Sequence, residues 1–300
     1  MENHIINARL ILKNNGKSFY WAGKFLPSTY INRASELYQF CRILDDIADN
    51  GENSSLQTLK DIKSNLTNEN HLKSKDVSNI TYPNFFDLHS KKAAADLIDG
   101  LILDQGNVLF KEESELISYS YHVAGTVGLM MCDALKCKEK EAYLFAIDLG
   151  IAMQLTNIAR DILEDAKMGR RYIPGSWINN ISPNEMIQAV EDKNTKILMI
   201  VSVGIKKLLN IAEKYYYSGT QGLIFLPIKT RIAISIASGV YRQIGIQLKL
   251  KKYNWYDGRQ VTSKMTKVKV TIYKIIDEVF RKKIQKEHDP ELHKFLKRFS

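Results

Sequence analysis

Two stretches of this 300-residue chain place polar side chains where a buried helix would carry leucine or valine. In YQFCRILDDIAD the stripe is Tyr38, Arg42, Asp45 and Asp49; in QLTNIARDILED it is Gln154, Asn157, Asp161 and Asp165. Steps of three or four residues keep side chains on one helix face, with Cβ atoms roughly 6 Å apart. Each stripe therefore carries two carboxylates one turn apart. Two such helices facing each other make a cage of four carboxylates, and that cage needs cations. Any fold that satisfies both stripes has to turn them towards a common interior space.

The rest of the chain fits such a fold. Long spans between turn signals, only six prolines and 45% hydrophobic residues predict an all-α protein, read as one helical domain over residues 1–300. Helices are expected over 4–14, 28–49, 55–65, 85–105, 111–135, 138–167, 183–190, 194–218, 227–250, 262–286 and 290–298. Asn50-Gly51 stops the second helix, and Ser182-Pro183 supplies a cap with proline at the first helical position. The polar segment from Thr67 to Pro83 reads as a mobile excursion. YLFAIDLGIAMQL is apolar on nearly every face, which marks a helix at the centre of the domain. That helix then presents Gln154, Asn157 and Asp161, whose burial without partners is costly. Gly125 and Gly128 weaken their helix locally but let a neighbouring backbone approach closely.

Several function classes are disfavoured. No run of eighteen apolar residues predicts a membrane span, and the N-terminus lacks the pattern of a signal peptide. Cys41, Cys132 and Cys137 are odd in number and fit a reduced, cytosolic setting. His288 and His293 have a spacing seen in zinc fingers, but with no Cys-x-x-Cys pair before them a zinc site is not expected. Residues 249–300 hold 15 lysines and arginines against six aspartates and glutamates, and so carry nine of the ten net positive charges. Solvated helix faces explain part of this excess. Attraction to anionic lipid headgroups is the sharper reading, and nucleic acid the poorer one, because no aromatic–basic interleaving accompanies the charges.

The stripes suggest the chemistry. Mg²⁺ prefers oxygen ligands and is usually held by one or two carboxylates plus substrate phosphates. Asp45, Asp49, Asp161 and Asp165 supply such ligands, and Asn157 adds a neutral oxygen. Arg42 and Arg160 suit a diphosphate, since guanidinium meets phosphate oxygens in a bidentate fork. Cations and arginines together would stabilise a leaving diphosphate. An allylic substrate would leave a carbocation behind, and Phe19, Tyr20, Tyr38, Tyr121 and Tyr241 are candidates to face it. Asp46 and Glu164 lie off the stripes, and Asp96, Asp99 and Asp104 read as structural or peripheral.

With these residues in view, the chain resembles the squalene/phytoene synthase family, its phytoene-synthase members most closely. The resemblance runs from about Lys17 to Lys267 and is carried by QLTNIARDILEDAKMGRRYIPGSW, YQFCRILDDIAD, YHVAGTVG, VYRQIG and NWYDGRQVTSK. It implies an isoprenoid-synthase bundle around a central cavity. It also implies Mg²⁺-dependent head-to-head (1′–1) condensation of two prenyl diphosphates, here geranylgeranyl diphosphate, through a cyclopropylcarbinyl diphosphate to phytoene. Metal ligation carries over to Asp45, Asp49, Asn157, Asp161 and Asp165, with Mn²⁺ an alternative to Mg²⁺ and no NADPH. Substrate contacts carry over to Ser18, Phe19, Tyr38, Arg42, Tyr121, Gln154, Asn157, Arg160 and Tyr241, and catalysis rests on the four stripe aspartates with Arg42 and Tyr241. The turn Asn15-Gly16-Lys17 departs from relatives that carry His-Ser there. The implied setting is the cytoplasm, peripheral at the inner face of the membrane. The alternatives are a dehydrosqualene or squalene synthase using farnesyl diphosphate, a head-to-tail elongase or terpene cyclase, and a non-catalytic helical scaffold. Intact stripe aspartates speak against the scaffold, and the Tyr-x-x-x-Arg-x-x-Asp-Asp context against the elongase.

Overall fold

The computed structural model describes residues 2–49, 53–67, 82–137, 139–282, 284 and 287–296. Among these, thirteen α-helices follow one another with no strand: α1 (Glu2–Asn15), α2 (Lys17–Gly23), α3 (Ser28–Asp49), α4 (Asn53–Thr67), α5 (Leu88–Leu103), α6 (Glu113–Ser120), α7 (Thr126–Ala134), α8 (Glu141–Arg160), α9 (Ile162–Lys167), α10 (Pro183–Glu191), α11 (Thr195–Gln221), α12 (Ile228–Leu250) and α13 (Lys264–Val279). The all-α expectation holds. Most of the polar Thr67–Pro83 segment, residues 68–81, lies outside the described residues.

The apolar helix is central, as its sequence requires. α8 packs against α7, α11 and α12, and buries Phe145, Ile147, Ile151, Ala152, Leu155 and Ile158. Its length and apolarity alone would suit a membrane span, but most of its residues are buried between other helices. The close approach expected at Gly128 is present. A Cβ added there would meet the Ala146 carbonyl oxygen at 2.2 Å, and one added at Gly150 would meet that of Ala124 at 2.2 Å. The glycines thus bring the backbone of α7, and of the turn before it, against α8.

Four helices differ markedly from the sequence expectation. The one expected over 111–135 begins at a capping box between Glu112 and Glu115 and is interrupted by a π-helical turn, Tyr121–Gly125, before α7. The one expected over 138–167 breaks at Asp161, whose φ of −105° and ψ of 16° leave the helical region. Adjacent residues on a regular helix do not face each other. The break lets the Arg160 and Asp161 side chains meet, with Nη2 2.5 Å from Oδ2. The last expected helices are shorter. α13 ends at Val279, beyond which Arg281 turns back to Glu278 (2.8 Å) and to the Thr220 carbonyl (3.0 Å). Residues 290–293 form only a 3₁₀ turn.

Gly128→Ala tests the packing. Helix propensity alone would favour alanine by about 1 kcal/mol, whereas overpacking against the Ala146 carbonyl costs about 1–3 kcal/mol. Chemical denaturation is expected to show net destabilisation.

Candidate active site

Both stripes open onto one cavity of about 350 Å³. From α3 come Tyr38 and Asp45; from α8 come Gln154 and Asn157; Tyr241 of α12 and Phe19 of α2 complete the polar end. Each stripe then continues outward by one or two turns, to Asp49 on α3 and to Asp161 and Asp165 beyond the break. α3 and α8 therefore both end at the cavity mouth, where the partial negative charge of their C-termini adds to that of the carboxylates. The cavity wall away from the mouth is apolar and includes Leu97, Val127, Met131, Leu149 and Met153, and it reaches Cys132, Cys137, Phe145 and Leu226.

A smaller cavity of about 130 Å³ shares Phe19, Tyr38, Cys41, Val127, Met131 and Ile234 with the first. It runs between α1, α2, α3 and α12, past Leu12, Leu26 and Ala233. Phe19 stacks on Tyr241 at 5.0 Å between ring centroids and lies 6.3 Å from Tyr38, so an aromatic trio stands where the two spaces join.

The acidic groups strain against one another. Burial pushes the Asp45 carboxyl up to about 7, reinforced by Asp49, Asp46 and Asp104 and opposed by Arg42. Burial likewise pushes Asp165 up to about 7, with Asp161, Asp104 and Glu164 adding to the rise and Arg170 opposing it. Asp104 is common to both sets and is itself raised by burial, although hydrogen bonds from Tyr119 (2.7 Å) and Tyr172 (2.9 Å) draw it back. Asp161 goes the other way. Burial would raise it, but Arg160 (2.7 and 2.5 Å) and Arg259 (2.8 and 3.1 Å) each grip it with two hydrogen bonds and hold it below the usual carboxylate range.

Asn157 directs its Nδ2 towards Gln154 (3.4 Å), while its Oδ1 is buried with no hydrogen-bond partner. The Tyr241 hydroxyl lies in hydrogen-bonding reach of Arg160 and Asn157. An orphaned amide oxygen beside repelling carboxylates is a donor set suited to a hard divalent cation.

Other sequence candidates sit further away. Arg42 does not line the cavity and pairs with Asp46, although its charge also acts on Asp45, and Glu164 is exposed. Ser18 and Tyr20 are on α2 but do not line the cavity, and Lys24 caps the Tyr20 ring instead, 5.5 Å from its centroid. Tyr121 is buried behind the wall, its ring against Gly125 and its hydroxyl donating to Asp96 (3.0 Å). Gly16 lies against the Tyr38 ring, where a Cβ would meet it at 3.0 Å. Asp99 is peripheral, paired with Lys63 at 2.5 Å. Asp104, read as structural or peripheral, caps α5 and ties Tyr119 to Tyr172, and its charge also reaches both Asp45 and Asp165.

Sequence reasoning also missed Arg170 and Arg259. Arg170 sits in GRRYIP, a segment tied to residues 108–111 by backbone hydrogen bonds such as Phe110 N to Arg171 O (3.1 Å) and Arg171 N to Val108 O (2.7 Å). That pairing brings Arg170 Nη2 to the Asp104 carbonyl (3.1 Å). Arg259 lies in NWYDGRQ, and the presence of both arginines in the quoted motifs was the available signal.

Comparison with known proteins decides the family. The squalene/phytoene synthase model matches residues 12–269. The chain belongs to the squalene/phytoene synthase family. This member is 30% identical to the phytoene synthase of Pseudescherichia vulneris, over 87% of its own length and 88% of the relative's. It is 31% identical to the 15-cis-phytoene synthase of Pantoea ananas, over 87% and 86% of the two chains. Its fold matches that of a dehydrosqualene synthase crystallised with a ligand, with a TM-score of 0.73 at 24% identity and coverage of 91% and 95%. It also matches a squalene synthase from Alicyclobacillus acidocaldarius, with a TM-score of 0.66 at 16% identity and coverage of 84% and 95%.

The raised carboxyls predict an unusual pH dependence in the metal-free synthase. A carboxyl whose folded-state pKa lies above its unfolded value contributes stability at low pH that is lost as pH rises through about 7. The melting temperature of chelator-treated protein is expected to fall between about pH 4 and pH 7. Asp45→Asn and Asp165→Asn should each flatten that fall, and millimolar Mg²⁺ should reverse it in the wild type.

Proposed function

We propose that this chain is a phytoene synthase, condensing two molecules of geranylgeranyl diphosphate head to head in carotenoid biosynthesis. The observation that carries the reading is the junction of a carboxylate- and arginine-rich mouth with two apolar cavities that share Phe19 and Tyr38, with Tyr241 stacked on Phe19 on the larger side. Two chains need two apolar spaces, and their diphosphates need one polar rim.

Mg²⁺, or Mn²⁺ in its place, would be held by Asp45 and Asp49 on one side and by Asn157, Asp161 and Asp165 on the other. It would neutralise diphosphate charge and so ease departure of the leaving group. Arg160 and Arg259 exchange their hold on Asp161 for phosphate oxygens, which frees that carboxylate as substrate binds. Arg42 and Arg170 flank the same rim. Phe19, Tyr38 and Tyr241 present ring faces to the allylic cation left when the C–O bond breaks. The apolar walls exclude water that would otherwise trap the cation. Coupling of the two chains gives a cyclopropylcarbinyl diphosphate and a proton. A second ionisation, rearrangement and proton loss give phytoene, so two substrates yield one hydrocarbon, two diphosphates and two protons. No reductant is needed.

The substrate and product are greasy, and α13 supplies a surface for reaching them. Its outer face exposes Met265, Val268, Ile272, Ile276 and Val279, with Tyr273 and Phe280 alongside. Lys264, Lys269 and Lys282 are exposed along the same helix and just beyond it. An apolar stripe bordered by lysines suits the interface of an anionic membrane. We read the protein as peripheral at the inner face of the cytoplasmic membrane.

Incubation with geranylgeranyl or farnesyl diphosphate and Mg²⁺, with and without NADPH, followed by product mass analysis, tests the reaction. A C40 triene core formed without NADPH is expected. A C30 product would move the assignment to dehydrosqualene or squalene synthesis, and no product from either substrate would refute synthase activity. Asp45→Asn and Asp161→Asn are each expected to lower kcat at least about 100-fold while leaving the circular dichroism spectrum intact. Ile272→Ser with Ile276→Ser should weaken co-sedimentation with phosphatidylglycerol vesicles. Unchanged sedimentation would remove α13 as the docking face.

A further inference from the structure

A second constellation sits on the other side of the helix that carries the Gln154 stripe. Asp148 precedes Asn157 by nine residues, which places it about 13 Å along α8 and about half a turn round. It is wholly buried, in a helix otherwise apolar there. A lone carboxylate in such a place is strongly disfavoured. Its partners come from far along the chain: His293 Nε2 is 2.8 Å from Oδ1, and His288 Nε2 is 2.9 Å from Oδ2. Ser218 of α11 donates to Oδ2 at 2.5 Å. One ligand atom from each of Asp148, His288 and His293 falls within 4.8 Å of the others.

We propose that Asp148, His288 and His293 form a binding site for a divalent transition metal of the zinc class. Two imidazole nitrogens and one carboxylate oxygen are a donor set that Zn²⁺ accepts, whereas Mg²⁺ favours oxygen alone. The site is therefore chemically distinct from the acidic mouth. The Ser218 hydroxyl orients the carboxylate from outside the ligand set. A neighbouring cavity of about 440 Å³ borders Ser218 and Leu292 and is lined by Glu287 and Asp289 as well as Lys214, while Glu213 there is paired with Arg242. Histidine spacing alone does not predict the site, because the third ligand lies 140 residues before the first histidine. The metal ties residues 287–296 to the core. Within that segment the Leu292 carbonyl accepts from Tyr215 (2.7 Å), Leu296 is buried, and His288 meets the edge of Phe145, a residue of the substrate cavity wall.

The same three groups without metal would form a hydrogen-bonded clamp, with a proton on each Nε2. The full chain, stripped with chelator and held in millimolar Mg²⁺ to occupy the acidic mouth, is titrated with Zn²⁺ by calorimetry. Co²⁺ is used in parallel for its visible ligand-field absorption. The wild type is expected to bind one Zn²⁺ per chain, to melt at a higher temperature with it, and to give a Co²⁺ spectrum indicating nitrogen ligation. His288→Gln and His293→Gln should each abolish stoichiometric binding and the Zn²⁺-induced rise in melting temperature. Ser218→Ala should keep the stoichiometry and weaken affinity at least about tenfold. Asp148→Asn is buried enough to misfold, so the histidine variants, checked by circular dichroism, carry the test. Absence of Zn²⁺ uptake by the wild type, or uptake that survives both histidine substitutions, overturns the site and leaves the clamp. None of these readouts depends on turnover.

Discussion

The burial of neighbouring carboxylates is the constraint on which the rest of the molecule turns. Asp45, Asp104 and Asp165 are each pushed above the ordinary carboxylate range, and burial is the leading cause in every case. Such a cluster survives only if the scaffold around it is rigid and if cationic groups stand close by. Rigidity comes from helices that converge on the mouth and from hydrogen bonds to their ends. Gln105 Nε2, for example, donates to the Ala48 carbonyl at the end of α3 (2.6 Å). Counter-charge comes from Arg160, Arg259, Arg42 and Arg170. In the proposed reaction the arginines that hold Asp161 turn to the diphosphate, and the carboxylates take up the cation.

The apolar half of the site follows from the same arrangement. α8 is both core and wall, with Ile151 and Leu155 packed inward while Leu149 and Met153 line the cavity. Building the polar rim at the C-terminal ends of α3 and α8 leaves their earlier turns free to be greasy. Charge and hydrocarbon therefore meet at one boundary, marked by Phe19, Tyr38 and Tyr241.

The helical fold and the two stripes were legible because they are periodic, and periodicity is local information. Tyr38, Asp45, Gln154 and Asn157 reach the cavity from the spacing that first singled them out. Asp161 was legible as a site residue, but the kink that turns it was not, because Arg259, one of the two arginines that grip it, arrives from 98 positions later. Asp104 looked peripheral for a similar reason. Its surroundings include Arg170 and Tyr172, which loop pairing brings to it from 66 and 68 positions later in the chain. The Asp148 cluster is the extreme case: nothing near Asp148 in the chain hints that two histidines of the C-terminal segment close upon it.

The paired glycines have a consequence for how this enzyme can change. Where Gly128 and Gly150 press main chain against main chain, that part of the cavity surface has no side chain to exchange and no room to gain one. Drift or design can reshape the chamber only at walls that carry side chains, such as Met131, Met153, Phe145 and Leu226, while this patch stays a fixed datum for every ligand that enters.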